Sequence, residues 1–192
     1  MKRALVVDDL PEKGMDIKDE LLKQNFEIIH FARCYIDAIK LLEEKEYDLI
    51  ILDMTLPREI TKGSKLITSS GKKILYDMFN MRKCIPSIVI TRYTYFGDEA
   101  EPAYLHTSNF CLENPYFMKN KEELIEAKYD LSTYMGLHEL FSQKISFYVG
   151  MIYYNPHEDT WKDNLRDFIQ KIKENKNEYT DNGRCGGKES SY

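Results

Sequence analysis

The hydrophobic positions of this chain fall into short continuous runs, each closed by a polar residue. Ala4-Leu5-Val6-Val7 runs into Asp8 and Asp9, Leu49-Ile50-Ile51-Leu52 into Asp53, Ile88-Val89-Ile90 into Thr91, and Met151-Ile152-Tyr153-Tyr154 into Asn155-Pro156. Continuous rather than alternating runs predict strands covered on both faces, as in a parallel sheet. The spacing predicts strands over 3–8, 26–32, 47–53, 86–91 and 145–154. Between them, apolar residues recur at helical spacing. Met15, Ile17, Leu21 and Leu22 mark a helix over 12–24, and Ile36, Ile39, Leu41 and Leu42 one over 35–45. A third covers 72–82, and a fourth, over 160–174, puts Trp161, Leu165, Phe168, Ile169 and Ile172 on one face. Strands separated by helices imply right-handed βαβ crossovers.

The rhythm fails twice. Residues 58–70 are polar and contain Gly and Ser, and 93–131 are rich in aromatics, acids, Asn and Pro. Both read as insertions, with a short helix over 122–129 in the second and another helix over 136–144 after it. The expected organisation is one α/β domain over 1–175, followed by a polar, Gly-containing tail over 176–192 that reads as disordered.

The strand ends carry the candidate chemistry. Open α/β sheets bind ligands at the carboxyl ends of their strands. There this chain would gather Asp8, Asp9, Asp53 and Thr91, three carboxylates and a hydroxyl suited to a hard cation and a phosphoryl group. Two carboxylates about 5 Å apart repel by about 3 kcal/mol at an effective dielectric near 20. Three of them either hold a cation or keep a proton.

Composition narrows the picture. The net charge of −5 supplies no basic field for nucleic acid or an anionic membrane. The longest apolar stretch, near 145–154, is too short to span a bilayer. The four cysteines form no CxxC pair, which argues against zinc and a disulfide framework and for reduced thiols in a cytoplasmic protein. The four histidines are scattered and lack metal spacing. The aromatics of 93–117 suit a lid, a partner surface or an extra packed layer, and without basic interleaving they do not suit base stacking.

The Asp8-Asp9 pair, Asp53 in Asp-Met-Thr-Leu-Pro, Thr91 after Ile-Val-Ile, and Asn155-Pro156 before a closing amphipathic helix together resemble the receiver domain of two-component response regulators. The resemblance covers 1–57 and 84–92 well and 136–174 more loosely. It implies a flavodoxin-like, doubly wound α/β fold: a five-stranded parallel sheet in the order 2-1-3-4-5, helices on both faces, and here an insertion between strands 4 and 5. It implies Mg2+ held by Asp9, Asp53 and the backbone carbonyl of Thr55, with Asp8 binding it through water or orienting the other ligands. Asp53 would be the phospho-acceptor and Thr91 would hydrogen-bond the phosphoryl group.

Two positions depart from the family. A lysine is expected where Asn155 stands, its ammonium touching the acceptor carboxylate. An amide cannot supply that charge; candidates for a substitute cation are Arg92, Arg58 and Lys62. The position of the family's switching aromatic aligns with Ile152, beside Tyr153 and Tyr154. The resemblance therefore implies a stand-alone signalling phosphoprotein rather than a turnover enzyme. Its partners would be a histidine kinase or phosphotransfer protein and a downstream protein target, with no nucleic acid and no membrane; a homodimer stays open. The alternatives are a pseudo-receiver binding module and, more distantly, a Mg-dependent phosphatase with an Asp53 intermediate, for which Thr55 is a poor general acid.

Overall fold

The computed structural model describes residues 2–60, 66–67, 70–92 and 147–174. Its elements are β1 (Lys2–Val7), α1 (Pro11–Lys23), β2 (Phe26–Ala32), α2 (Tyr35–Glu44), β3 (Leu49–Leu52), β4 (Leu56–Pro57), β5 (Leu66–Ile67), α3 (Ser70–Asn80), β6 (Ser87–Thr91), β7 (Tyr148–Tyr153) and α4 (Thr160–Glu174). Five strands form one parallel sheet in the order β2-β1-β3-β6-β7. This is the expected order, with the long insertion before the last strand.

Alternation along each buried strand feeds two cores. Leu5, Val7, Ile50 and Leu52 face α2 and α3, meeting Leu42, Ile74 and Met78. Ala4, Val6, Leu49 and Ile51 face the other way, toward Ile17 and Leu21 of α1 and Trp161 and Leu165 of α4. Both faces of the central strands are therefore dry, which is why their sequences are continuous runs rather than alternating ones. On α4 the expected face holds: Trp161, Leu165 and Ile169 are buried, with Phe168 and Ile172 packed beside them.

Helix α1 departs from its expected face. Met15 and Leu22 are half exposed, while Lys13, Ile17, Glu20 and Leu21 face inward. Proline at the first helical position suits the start of α1. Asn25, at φ 67°, turns the chain out of the helix in a conformation asparagine tolerates.

The first interruption also differs from a plain loop. Leu56-Pro57 pairs antiparallel with Leu66-Ile67, and α3 begins at Ser70, whose hydroxyl donates to the Leu56 carbonyl at 2.9 Å. The helices expected over 122–129 and 136–144, the 93–131 insertion as a folded unit, and the tail lie outside the described residues. Unpaired thiols were expected throughout. Cys34 is free and buried, but Cys84 is disulfide-bonded, because spacing along the chain does not reveal which thiols the fold brings together. No helix among the described residues is long and apolar enough to cross a membrane.

Candidate functional site: an acidic cluster with an internal lysine

Asp8 and Asp53 are adjacent because β1 and β3 are. Val7 pairs with Leu52, and the Asp53 amide donates to the Val7 carbonyl at 2.9 Å. Asp9 follows on the loop into α1. The carboxylates of Asp8, Asp9 and Asp53 each present an oxygen within 4.8 Å of the others. Thr91 ends β6, the next strand over, and is fully buried; its carbonyl accepts from the Tyr154 amide at 2.8 Å.

Two of the three carboxylates are sealed from water: Asp8 and Asp53 are about 95% buried, while Asp9 is partly exposed. Burial pushes the Asp53 carboxyl up to about 6 against the pull of Lys13, and Asp8 adds to the rise. Burial and the neighbouring Asp8 likewise raise Asp9, against Lys13 and Arg33. Three converging oxygens, two of them on acids held above their ordinary range, suit a hard cation that takes oxygen ligands and keeps some water. The residues present therefore fit Mg2+.

The sequence reading missed Lys13. It projects from the first turn of α1, is fully buried, and places its ammonium among three acceptors. It donates to Asp53 Oδ1 at 2.9 Å and to the Ile90 carbonyl at 2.7 Å, and it pairs with Asp8 Oδ2 at 2.8 Å. The other Asp8 oxygen accepts from the Leu10 amide at 2.9 Å. An ammonium has three donors, and all three are used. A buried charge is tolerable when paired and hydrogen-bonded in this way. A signal was available: Lys13, Ile17 and Leu21 recur every four residues, so Lys13 lies on the helix stripe that faces the core.

The other predicted residues are not all drawn in. The Asn155 amide donates to Glu158 Oε1 at 2.8 Å, and its oxygen accepts from the His157 amide at 3.1 Å, so this side chain shapes its own loop. The Arg92 guanidinium lies 5.3 Å from the Tyr154 ring centroid, with its Nε buried and without a hydrogen-bond partner. Among the described residues no ion pair joins it to Asp53. Thr55 is buried in the turn after β3. Lys62 lies outside the described residues, and Arg58 is exposed. Ile152 is buried in the sheet core, and Tyr153 is half exposed. Tyr154 is buried; its hydroxyl donates to Asp16 Oδ2 at 2.6 Å, its ring lies 5.0 Å from that of Trp161, and its phenol is pushed up to about 12 by burial and that bond.

Gly71 also escaped the sequence reading. A Cβ there would lie 2.4 Å from the Asp53 carbonyl oxygen and 2.7 Å from the Met54 Cα, so only glycine lets α3 pack on the acceptor turn.

No family model matches the chain. It is 38% identical over 55 residues to the chemotaxis protein CheY of Bacillus subtilis, a segment that is 29% of this chain and 46% of that protein. The chain thus spans about half the length of the curated relative it matches. Among solved structures it is similar to the response regulator TrrA of Thermotoga maritima in complex with Mg2+–BeF, at 31% identity over 49% of this chain and 72% of that one, with a TM-score of 0.39. A CheY-like receiver domain protein from Methanospirillum hungatei matches at 18% identity over 93% of this chain and 98% of that one, with a TM-score of 0.49. The parallel strand order, the acid cluster at its strand ends and the 55-residue match together identify a response regulator receiver (CheY-like) domain of distant homology.

Proposed function

We propose that this chain is a phosphorylatable signalling switch in which Asp53 accepts a phosphoryl group. The observation that carries the reading is the burial of Asp53 among Asp8, Asp9 and Lys13, one strand from Thr91. Asp9 and Asp53, with the Thr55 carbonyl, would hold Mg2+, and Asp8 would stay engaged with Lys13 and the Leu10 amide. When bound, the metal supplies positive charge for the phosphoryl oxygens.

The chain's own residues do the rest. One Asp53 carboxylate oxygen attacks phosphorus in line. An O–P bond forms as the donor's bond to phosphorus breaks, and the bonding pair leaves with the donor's leaving group. The sheet fixes the acceptor, and the surrounding side chains exclude water, so positioning and charge carry the reaction. Thr91 donates a hydrogen bond to the transferred group. The donor would be a phosphohistidine on a kinase or phosphotransfer protein, the output a protein–protein contact, and the setting the cytoplasm.

The test is incubation with Mg2+ and acetyl phosphate, followed by intact mass, and with Mg2+ and beryllofluoride, followed by 19F NMR. The wild type should gain one phosphoryl group and one bound fluoride signal, and Asp53→Asn should gain neither. An equal adduct on both proteins, or none on the wild type, sinks the reading. A pseudo-receiver binding module is the second reading, favoured by the commitment of Asn155 to its own loop.

A further inference from the structure

Resting on that reading, we propose that Lys13 supplies from α1 the cation that the strand-end loop lacks. Its ammonium would stay on Asp53 through phosphorylation and offset part of the phosphoryl group's negative charge, so that α1 is the element tied to the state of the acceptor.

Four observations carry this. First, Lys13 touches the reacting group itself, at 2.9 Å from Asp53 Oδ1. Second, the contact is built in. The ammonium is also fixed by the Ile90 carbonyl, one residue before Thr91, and by Asp8, and the Tyr154 ring centroid lies 5.7 Å away. A lysine that merely found the nearest acid would not need a backbone acceptor on a third strand. Third, the charges balance. Three carboxylates (−3) and one ammonium (+1) leave −2, the charge that one divalent cation cancels. Metal and lysine are thus complementary in this site rather than competing. Fourth, the position expected to carry the cation is spoken for, since Asn155 holds Glu158 and the His157 amide.

The consequence is a rerouted linkage. Three side chains of α1, two of them buried, reach different parts of the molecule. Lys13 holds the acceptor, Asp16 takes the Tyr154 hydroxyl at the end of β7, and Glu20 takes Arg166 of α4 at 3.2 Å. A change in the Asp53–Lys13 contact therefore acts on one helix that also grips β7 and α4. The loop after β7 need not move.

The experiment compares wild type, Asp53→Asn and Lys13→Met, a neutral substitution of similar length, in Mg2+-dependent beryllofluoride binding followed by 19F NMR. Loss of a charge-assisted contact should weaken binding by about tenfold to a hundredfold in Lys13→Met. If the wild type forms no adduct, the receiver reading falls and this proposal with it. If the wild type binds and Lys13→Met binds equally or more tightly, Lys13 is a plug in the metal site and only the present proposal falls. A second measurement needs no variant: 15N-labelled lysine side chains of the wild type are observed with and without beryllofluoride. Two ammonium resonances should be protected from exchange, since Lys72 is buried as well as Lys13; once the Lys13 signal is assigned, protection in both states with a shift on adduct formation supports the proposal, and a Lys13 signal that does not move, or that loses protection, overturns it.

Discussion

The ends of β3 and β7 look alike in sequence and behave differently in the fold. Each closes an apolar run with a polar residue followed closely by a proline, Asp53 ahead of Pro57 and Asn155 ahead of Pro156. Asp53 is sealed among charged partners, with its carboxyl pushed up to about 6 by burial. Asn155 turns into its own loop. A strand end becomes chemistry only when neighbouring elements converge on it. Here α1 and α3 converge on Asp53, through Lys13 and Gly71, and the cation has come from a helix instead of from the β7 loop.

Three substitutions probe that contrast, from the largest effect to the smallest. Gly71→Val forces a branched side chain into backbone atoms of the acceptor turn. It should cost about 3 kcal/mol or more, at the upper end for overpacking, read as a lower urea midpoint. A wild-type midpoint would mean that the turn is not held by α3.

Asp53→Asn should stabilise the metal-free protein in a pH-dependent way. The folded carboxyl titrates near 6, against 3.8 for an ordinary aspartate. An acid raised on folding binds more protons in the folded state between those two values, so stability falls as pH rises through that window. The penalty is absent below about pH 4 and complete above about pH 6, where it reaches at most about 3 kcal/mol. The variant should therefore exceed the wild type in thermal or urea stability at pH 7.5, and the gap should close toward pH 4. A gap that is constant with pH would remove burial of charge as its cause.

Asn155→Ala should change stability by only about 0.5 kcal/mol, as for exposed positions, and leave the beryllofluoride adduct intact. A lost adduct would return the β7 loop to the site and undo the contrast.

Much of the fold was legible. Residues 26–32 and 160–174 form elements with the predicted bounds, and the central strands differ by a residue or two at their ends. Burial on both faces leaves a strong mark, since a polar residue inside Leu49–Leu52 would be dehydrated without a partner. The paired acids and Asp53 were legible for the opposite reason: charges that close apolar runs stand out. Lys13 was not. Lysines in the first turn of a helix are ordinarily solvated, and its neighbours Glu12 and Asp16 suggest a polar face. Met15 and Leu22 misled similarly, because apolar residues on the surface are common. The β4–β5 ladder was missed because two-residue pairings have no period to read.

The amino-acid sequence determined the parallel sheet, the sidedness of α4 and the meeting of three carboxylates, because hydrophobic period and strand-end chemistry are local patterns. Tertiary structure alone decided which cation meets Asp53. An ammonium on a flexible stem reaches whichever buried oxygens the packing presents, and only the docking of α1 on β1 and β2, beside the ends of β3 and β6, brings Asp8, Asp53 and the Ile90 carbonyl around Lys13. The same packing decided that Asn155 stays outside and that position 71 must be glycine, since both depend on distances between elements far apart in the chain.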